Sequence, residues 1–393
     1  MAKDVTKFAL GLLALFIALG DIDRLLGVGS AIGPIHILAA LFVTLHLLLH
    51  VKDISIVVSL EAYLLLLLVF ILAIAQLSYG TGTFDIAIVN FKLIVCVVFF
   101  LILAQHLSRY PDHVNISLAV FAIGCVVLGF SAFVIPGVGE IYKGQFIILG
   151  ENPNSTSSRM AVAFVFVFSY VLHNKPAYFK ASLCYIALIM LAVVIVKSGS
   201  RGSLLAVILS SLLLAVLAPL PKIHKASLLL LIAVGLIFLA QKILSIEGIG
   251  ERWISALQGD TAGRSQIWAS AFEIFLEHPW IGVGEGGYFS EIYNREYRYI
   301  DAHNLFIYVA VSGGLIGLFI LIFFLTRLAY KAFKPLLAGD ALPMILLFNM
   351  LFIAAKTGGV LTYLLLWFIF AMVFGGQFRQ LDDAHYKRNK QGV

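Results

Sequence analysis

Charge is scarce in this chain. Asp, Glu, Lys and Arg make up 12% of its 393 residues, about half the share found in a soluble domain. Hydrophobic residues reach 61% and the mean hydropathy is +1.02, more apolar surface than one globular core can hide from water. Cysteine is nearly absent. Cys96, Cys125 and Cys184 sit singly in apolar runs and form no CxxC pair, which argues against a disulfide framework and a cysteine zinc site. Acidic residues are outnumbered, 21 to 27, for a net charge of +6. In a membrane chain that excess is the positive-inside bias, so no nucleic-acid partner is expected. No internal repeat or low-complexity tract is found. No small-x-small cleavage site precedes Asp21-Ile22-Asp23-Arg24, so the basic-flanked apolar start reads as an uncleaved first span.

What the chain has is long apolar runs. They predict an all-α integral membrane protein of about twelve spans, near 8–20, 33–50, 55–77, 84–105, 115–135, 159–173, 179–196, 202–219, 226–245, 303–325, 341–356 and 358–375. Three parts follow: helices one to nine over 1–245, a connection over 246–302, and helices ten to twelve with a tail over 303–393. With both termini in the cytoplasm, the inner connections carry 15 Lys and Arg against 11 outside. Five of the 11 lie in 246–302, and a connection of that length crosses largely regardless of charge. Cytoplasmic termini are therefore expected, with 246–302 on the outer face.

That connection is patterned. Asp260-Thr261-Ala262-Gly263 offers an N-cap, and Arg264, Ile267, Trp268, Ala271, Phe272 and Phe275 recur at helical spacing. Glu273 and Glu277 take the opposite face. The pattern stops at His278-Pro279 before the glycine-rich run 282–287, expected to be flexible. It reads as an amphipathic helix lying along the membrane surface. A second outward segment, 136–158, carries Glu151-Asn152-Pro153-Asn154.

Three basic residues stand out by position. Arg201 lies in Ser198-Gly199-Ser200-Arg201-Gly202-Ser203 at the start of the eighth span, Arg264 opens the loop helix, and His303 precedes the tenth span. In the predicted topology all three share the outer face. Helix N-termini offer free N–H groups and partial positive charge, and an added arginine makes an anion receptor. Singly, each has an ordinary explanation: a snorkelling arginine, a solvated helix start, a structural histidine. Together they favour a diphosphate-bearing lipid. Two rivals exist. Asp21-Ile22-Asp23 has the DxD form that can hold a metal on a sugar phosphate, though a salt-bridged turn with Arg24 explains it as well. Glu61, Lys92, His36 and His46 are candidates for a transport path, with Glu61 and Lys92 able to pair, yet each of those two lies near the end of its run.

The Ser-Gly-Ser-Arg-Gly-Ser run resembles a motif of the O-antigen ligase and polymerase superfamily. So do Gly263-Arg264-x-x-x-Trp268 with His278-Pro279-x-x-Gly282-x-Gly284, and Ala302-His303-Asn304 with Gly313-Gly314-Leu315-Ile316-Gly317. The resemblance is sharpest over 190–320. It implies an inverting glycosyltransferase without metal or cofactor in the bacterial inner membrane. Such an enzyme moves a glycan from an undecaprenyl diphosphate carrier to an acceptor hydroxyl on the periplasmic face. It further implies that Arg201 and Arg264 bind the diphosphate and that His303 is the base. Asn304 stands beside His303 to orient it or a sugar hydroxyl, and Lys197, Arg159 and Arg252 are further sources of positive potential. One long and one moderate outer segment tilt the reading toward a ligase acting on lipid A core in lipopolysaccharide biosynthesis. A polymerase joining carrier-linked repeats is the alternative, and a lipid-linked glycan transporter without catalysis is a more distant one.

Overall fold

A computed structural model describes residues 2–20, 34–50, 60–79, 84–174, 176–218, 220–245, 249–259, 261, 263–356 and 361–375. Asp21, Asp23, Asp260 and the C-terminal tail lie outside these residues. The described chain is mostly helical. In order it runs α1 (Ala2–Leu19), α2 (Pro34–Leu49), α3 (Leu60–Tyr79), α4 (Phe84–Arg109), α5 (Asp112–Val134), β1 (Gly139–Tyr142) and β2 (Gln145–Ile148). There follow α6 (Pro153–Asn174), α7 (Tyr178–Lys197), α8 (Arg201–Leu217), α9 (Lys222–Leu244), α10 (Ile249–Leu257), α11 (Arg264–Glu277), α12 (Gly284–Glu296), α13 (Leu305–Leu337), α14 (Leu342–Ala354) and α15 (Leu364–Gly375). Helices are what an apolar solvent permits, because every backbone donor finds its acceptor within the same segment.

Each of the twelve apolar runs falls on a helix. Among the described residues seven helices are long and apolar enough to cross a membrane, and α2, α8, α14 and α15 are shorter apolar helices. The helices on the eleventh and twelfth predicted spans are the shortest of the twelve. They have 13 and 12 residues, about 20 and 18 Å long against ~30 Å of hydrocarbon. Eleven of the 12 residues of α15 are buried. A helix apolar all round belongs in a core, and α15 sits there against α4, with Trp367 and Phe374 packed on Phe100. Gly375 is what lets α15 come that close: a Cβ there would lie 2.3 Å from the Leu107 Cβ. By contrast α9 buries only 6% of its apolar window.

The connections depart from the expected pattern in three ways. The 136–158 segment holds an antiparallel hairpin, β1 paired with β2 across Lys143-Gly144, where the reading was all-α. The 246–302 connection holds three helices, α10, α11 and α12, where one was expected. Finally, 282–287 is a packed segment. Gly284 to Gly287 are buried, and Gln76 of α3 accepts hydrogen bonds from the Gly286 and Gly287 N–H groups at 2.7 and 3.4 Å. That side-chain oxygen satisfies donors at the start of α12 that have no partner within the helix.

Two glycine motifs meet here. Gly314 breaks the regular path of α13 at φ 64°, ψ −165°. The Leu315 and Ile316 N–H groups, freed by the break, donate to Pro279 and Trp280 carbonyls at 2.8 and 3.1 Å, and the Val283 N–H donates to Val311 at 3.1 Å. A Cβ on Gly314 would fall 2.3 Å from the Trp280 backbone, and one on Gly282 would fall 2.3 Å from the Val311 carbonyl oxygen. The connection is therefore stitched into the kink of α13.

Candidate active site

The site is built where α6, α8, α11 and α13 all begin. The turn before α8 is held by its own serines. Gly199 takes φ 65°. The Ser200 hydroxyl donates to Ser203 Oγ at 3.2 Å, and Ser157 of α6 reaches Ser203 Oγ at 2.9 Å. Gln145 of the hairpin donates to the Ser198 carbonyl at 2.7 Å. A Cβ on Gly199 would meet the Gln145 side chain at 3.4 Å and the Arg252 guanidinium at 3.9 Å. The glycine thus accepts the hairpin and an arginine of α10.

Three guanidinium groups share this neighbourhood. Arg201 Nη1 donates to the carbonyl of Arg252 at 3.0 Å. Arg264 donates to the carbonyl of Lys356. The Arg264 guanidinium is held below the ordinary arginine range, by burial first and then by the like charges of Arg201 and Arg252, with Asp301 acting against them. Like charges gathered in partial burial are unfavourable unless an anion joins them. Within the expected N-cap run, Asp260 lies outside the described residues, and the Thr261 hydroxyl accepts from the Ser265 N–H at 3.1 Å.

His303 takes left-handed φ at 49°, a conformation that costs a non-glycine residue of order 1–3 kcal/mol. It is held from both sides. Its own N–H donates to the Asp301 carboxylate, and Trp268 Nε1 of α11 donates to the Ala302 carbonyl at 2.8 Å. Asp301 Oδ1 lies 3.1 Å from His303 Nδ1, within ion-pair distance but not aligned as a hydrogen bond. Asn304 caps α13, its Oδ1 accepting from the Phe306 and Ile307 N–H groups at 2.9 and 3.2 Å.

A cavity of about 560 Å³ joins these parts, lined by His303, Arg252, and residues of the hairpin and the start of α6, among them Glu140, Gln145 and Glu151. Arg201 and Arg264 do not line it. Lys197 lies over the Phe133 ring at 5.2 Å, outside the lining. Arg159 differs most from expectation. It is buried and bound through both terminal nitrogens to Glu151, so the pair adds no net positive potential. Of the transport candidates, Glu61 meets Arg327 and Lys331 of α13 at 3.2 and 3.7 Å.

The face of α11 is also redistributed. Trp268 serves the His303 segment, while Phe272 is exposed and Phe275 packs partly on the core. Glu277, Glu291 and Glu273 surround Arg295, holding α11 to α12. Asp301 is the residue that motif reading passed over. Its signal was an acid two positions before a candidate histidine.

Residues 186–322 match the family model described as O-antigen ligase. The matched segment takes in Arg201, Arg252, Arg264, Asp301 and His303, and the match supports the resemblance to the O-antigen ligase and polymerase superfamily. No curated protein matches the chain.

Proposed function

We propose that this protein is a membrane glycosyltransferase. It moves a glycan from a polyprenyl (undecaprenyl) diphosphate to an acceptor hydroxyl, at a site on the periplasmic face of the inner membrane with both termini in the cytoplasm. One observation carries the reading: Arg252 and His303 line one cavity, Arg201 and Arg264 lie close to Arg252, and Asp301 lies beside His303, all five within the segment that matches the ligase family.

The chemistry follows from the charges. As the bond between the anomeric carbon and the diphosphate oxygen breaks, negative charge grows on the leaving diphosphate. Arg252 on the cavity and Arg201 and Arg264 near it are fixed cations whose field favours that charge, and stabilising it lowers the barrier without reorganisation. The acceptor oxygen attacks the face opposite the leaving group, so the configuration inverts. Its proton passes to His303, and the carrier diphosphate leaves with the bonding pair. Asp301 sits beside Nδ1, which leaves Nε2 as the nitrogen that takes the proton. The hairpin and the start of α6 supply the sugar-facing wall.

The acceptor is proposed to be lipid A core, making the protein an O-antigen ligase, since the 136–158 segment is a compact hairpin and not a second large domain. Deleting the gene and resolving surface glycolipids beside extracted carrier-linked glycans tests this. A ligase leaves rough core with long polymer stranded on the carrier. Core bearing a single repeat, with no long polymer anywhere, contradicts it in favour of a polymerase. An intact carrier glycan trapped on the cytoplasmic side contradicts catalysis altogether.

A further inference from the structure

At the other end of α5, whose 23 residues span about 34 Å, four histidines gather beneath the surface. His46 and His50 lie one turn apart near the end of α2, His106 near the end of α4, and His113 in the first turn of α5. All four are buried. Among the described residues His46, His50 and His106 each offer one ligand atom, and these lie within 4.8 Å of one another. The proposed transfer chemistry uses none of them.

The hydrogen-bond order matters. His106 Nε2 lies 2.9 Å from His113 Nδ1, and His106 Nδ1 lies 3.2 Å from His46 Nδ1. A neutral imidazole carries one N–H. When His106 Nε2 donates to His113, its Nδ1 is left as a lone pair directed at His46. An outer partner that takes the far N–H and turns the lone pair inward is the usual support of a metal-binding histidine. The 3.2 Å separation is also close to the edge of about 3.4 Å between nitrogens bound at ~2.1 Å around one tetrahedral ion. Donors up to 4.8 Å apart would have to approach one another by up to about 1.4 Å to reach that tetrahedral edge.

We infer that His46, His50 and His106 form a site for a first-row divalent cation of the zinc type, with His113 as the positioning residue that sets the tautomer of His106. The donors are all imidazole, which suits Zn²⁺, Ni²⁺ or Cu²⁺ and does not suit Mg²⁺ or Ca²⁺. Three protein ligands leave a fourth position for water. The ion would tie α2 to α4, and through His113 to α5. Because the unfolded chain lacks the arrangement, binding would stabilise the fold.

The test uses the full chain in detergent, without a polyhistidine tag and stripped with EDTA, and the probes are ZnCl₂, CoCl₂ and MgCl₂. Zn²⁺ should raise the unfolding temperature, EDTA should reverse the rise, and Mg²⁺ should do nothing. Co²⁺ should give the visible absorption of a four-coordinate ion. His106→Ala and His46→Ala should weaken Zn²⁺ binding at least about 100-fold, and His113→Gln about 10-fold. The wild-type measurements stand even if a variant fails to fold. The inference is overturned if the wild-type chain shows neither the Zn²⁺-dependent shift nor the Co²⁺ absorption. It is equally overturned if folded His46→Ala and His106→Ala chains keep wild-type Zn²⁺ affinity.

Discussion

At the scale of single residues, Arg201, Arg264 and His303 are read as site candidates because short polar motifs interrupt apolar runs there. Arg159 was misleading for the same reason: its partner Glu151 lies eight positions away, in a segment that read as loop. Asp301 was written beside His303, yet only the turn that folds its carboxylate back gives it a role. Two predictions belong here. Arg201→Ala and Arg264→Ala should each lower the transfer rate on the order of 100-fold, and lysine at either position should recover only part of it, because a forked guanidinium grips two oxygens where an ammonium grips one. Steady-state transfer with purified variants checks both. The second concerns Glu285 in α12. Burial pushes its carboxyl from 4.5 up to about 8, so the folded chain holds a proton that the unfolded chain releases. Stability should then be fullest below pH 4.5 and fall as the pH rises towards 8. Glu285→Gln should flatten that decline in a thermal melt at several pH values; an unchanged slope would contradict it.

At the scale of elements, apolar runs mark helices well because lipid leaves the backbone no other choice. They do not say whether a helix crosses the bilayer, and α14 and α15 are short apolar helices with mostly buried residues. The hairpin was missed because Gly139 to Ile148 is short and lies between two long apolar runs, although the Lys143-Gly144 turn, with φ of 49° and 73°, is a usual two-residue hairpin loop. The glycine run 282–287 was misread as flexible because glycine signals close packing as often as freedom. Gly314 and Gly317 separate these meanings within one helix. Gly314→Ala places a Cβ on the Trp280 backbone in a conformation reserved for glycine, and should cost at least about 3 kcal/mol. Gly317→Ala makes ordinary contacts at 3.6 Å and should be tolerated. Unfolding temperatures of the two variants decide it; equal temperatures would contradict the stitched kink.

At the scale of the whole molecule, the cavity lies at one end of α5 and the histidine cluster at the other, and charge bias predicts that the cavity faces the periplasm. In a chain with its three cysteines replaced, Gln258→Cys should react with an impermeant maleimide added from the periplasmic side, and Ala338→Cys only after the membrane is opened. Both positions are exposed. The reverse pattern would invert the orientation.

The central claim is that the cavity transfers a glycan and that His303 takes the acceptor's proton. Purified wild-type and His303→Ala chains, given the carrier-linked glycan and the acceptor, test it most directly when donor binding and product formation are measured on the same samples. The account predicts that His303→Ala binds the donor within a few-fold of wild type and forms no product. Product formed at the wild-type rate would contradict it.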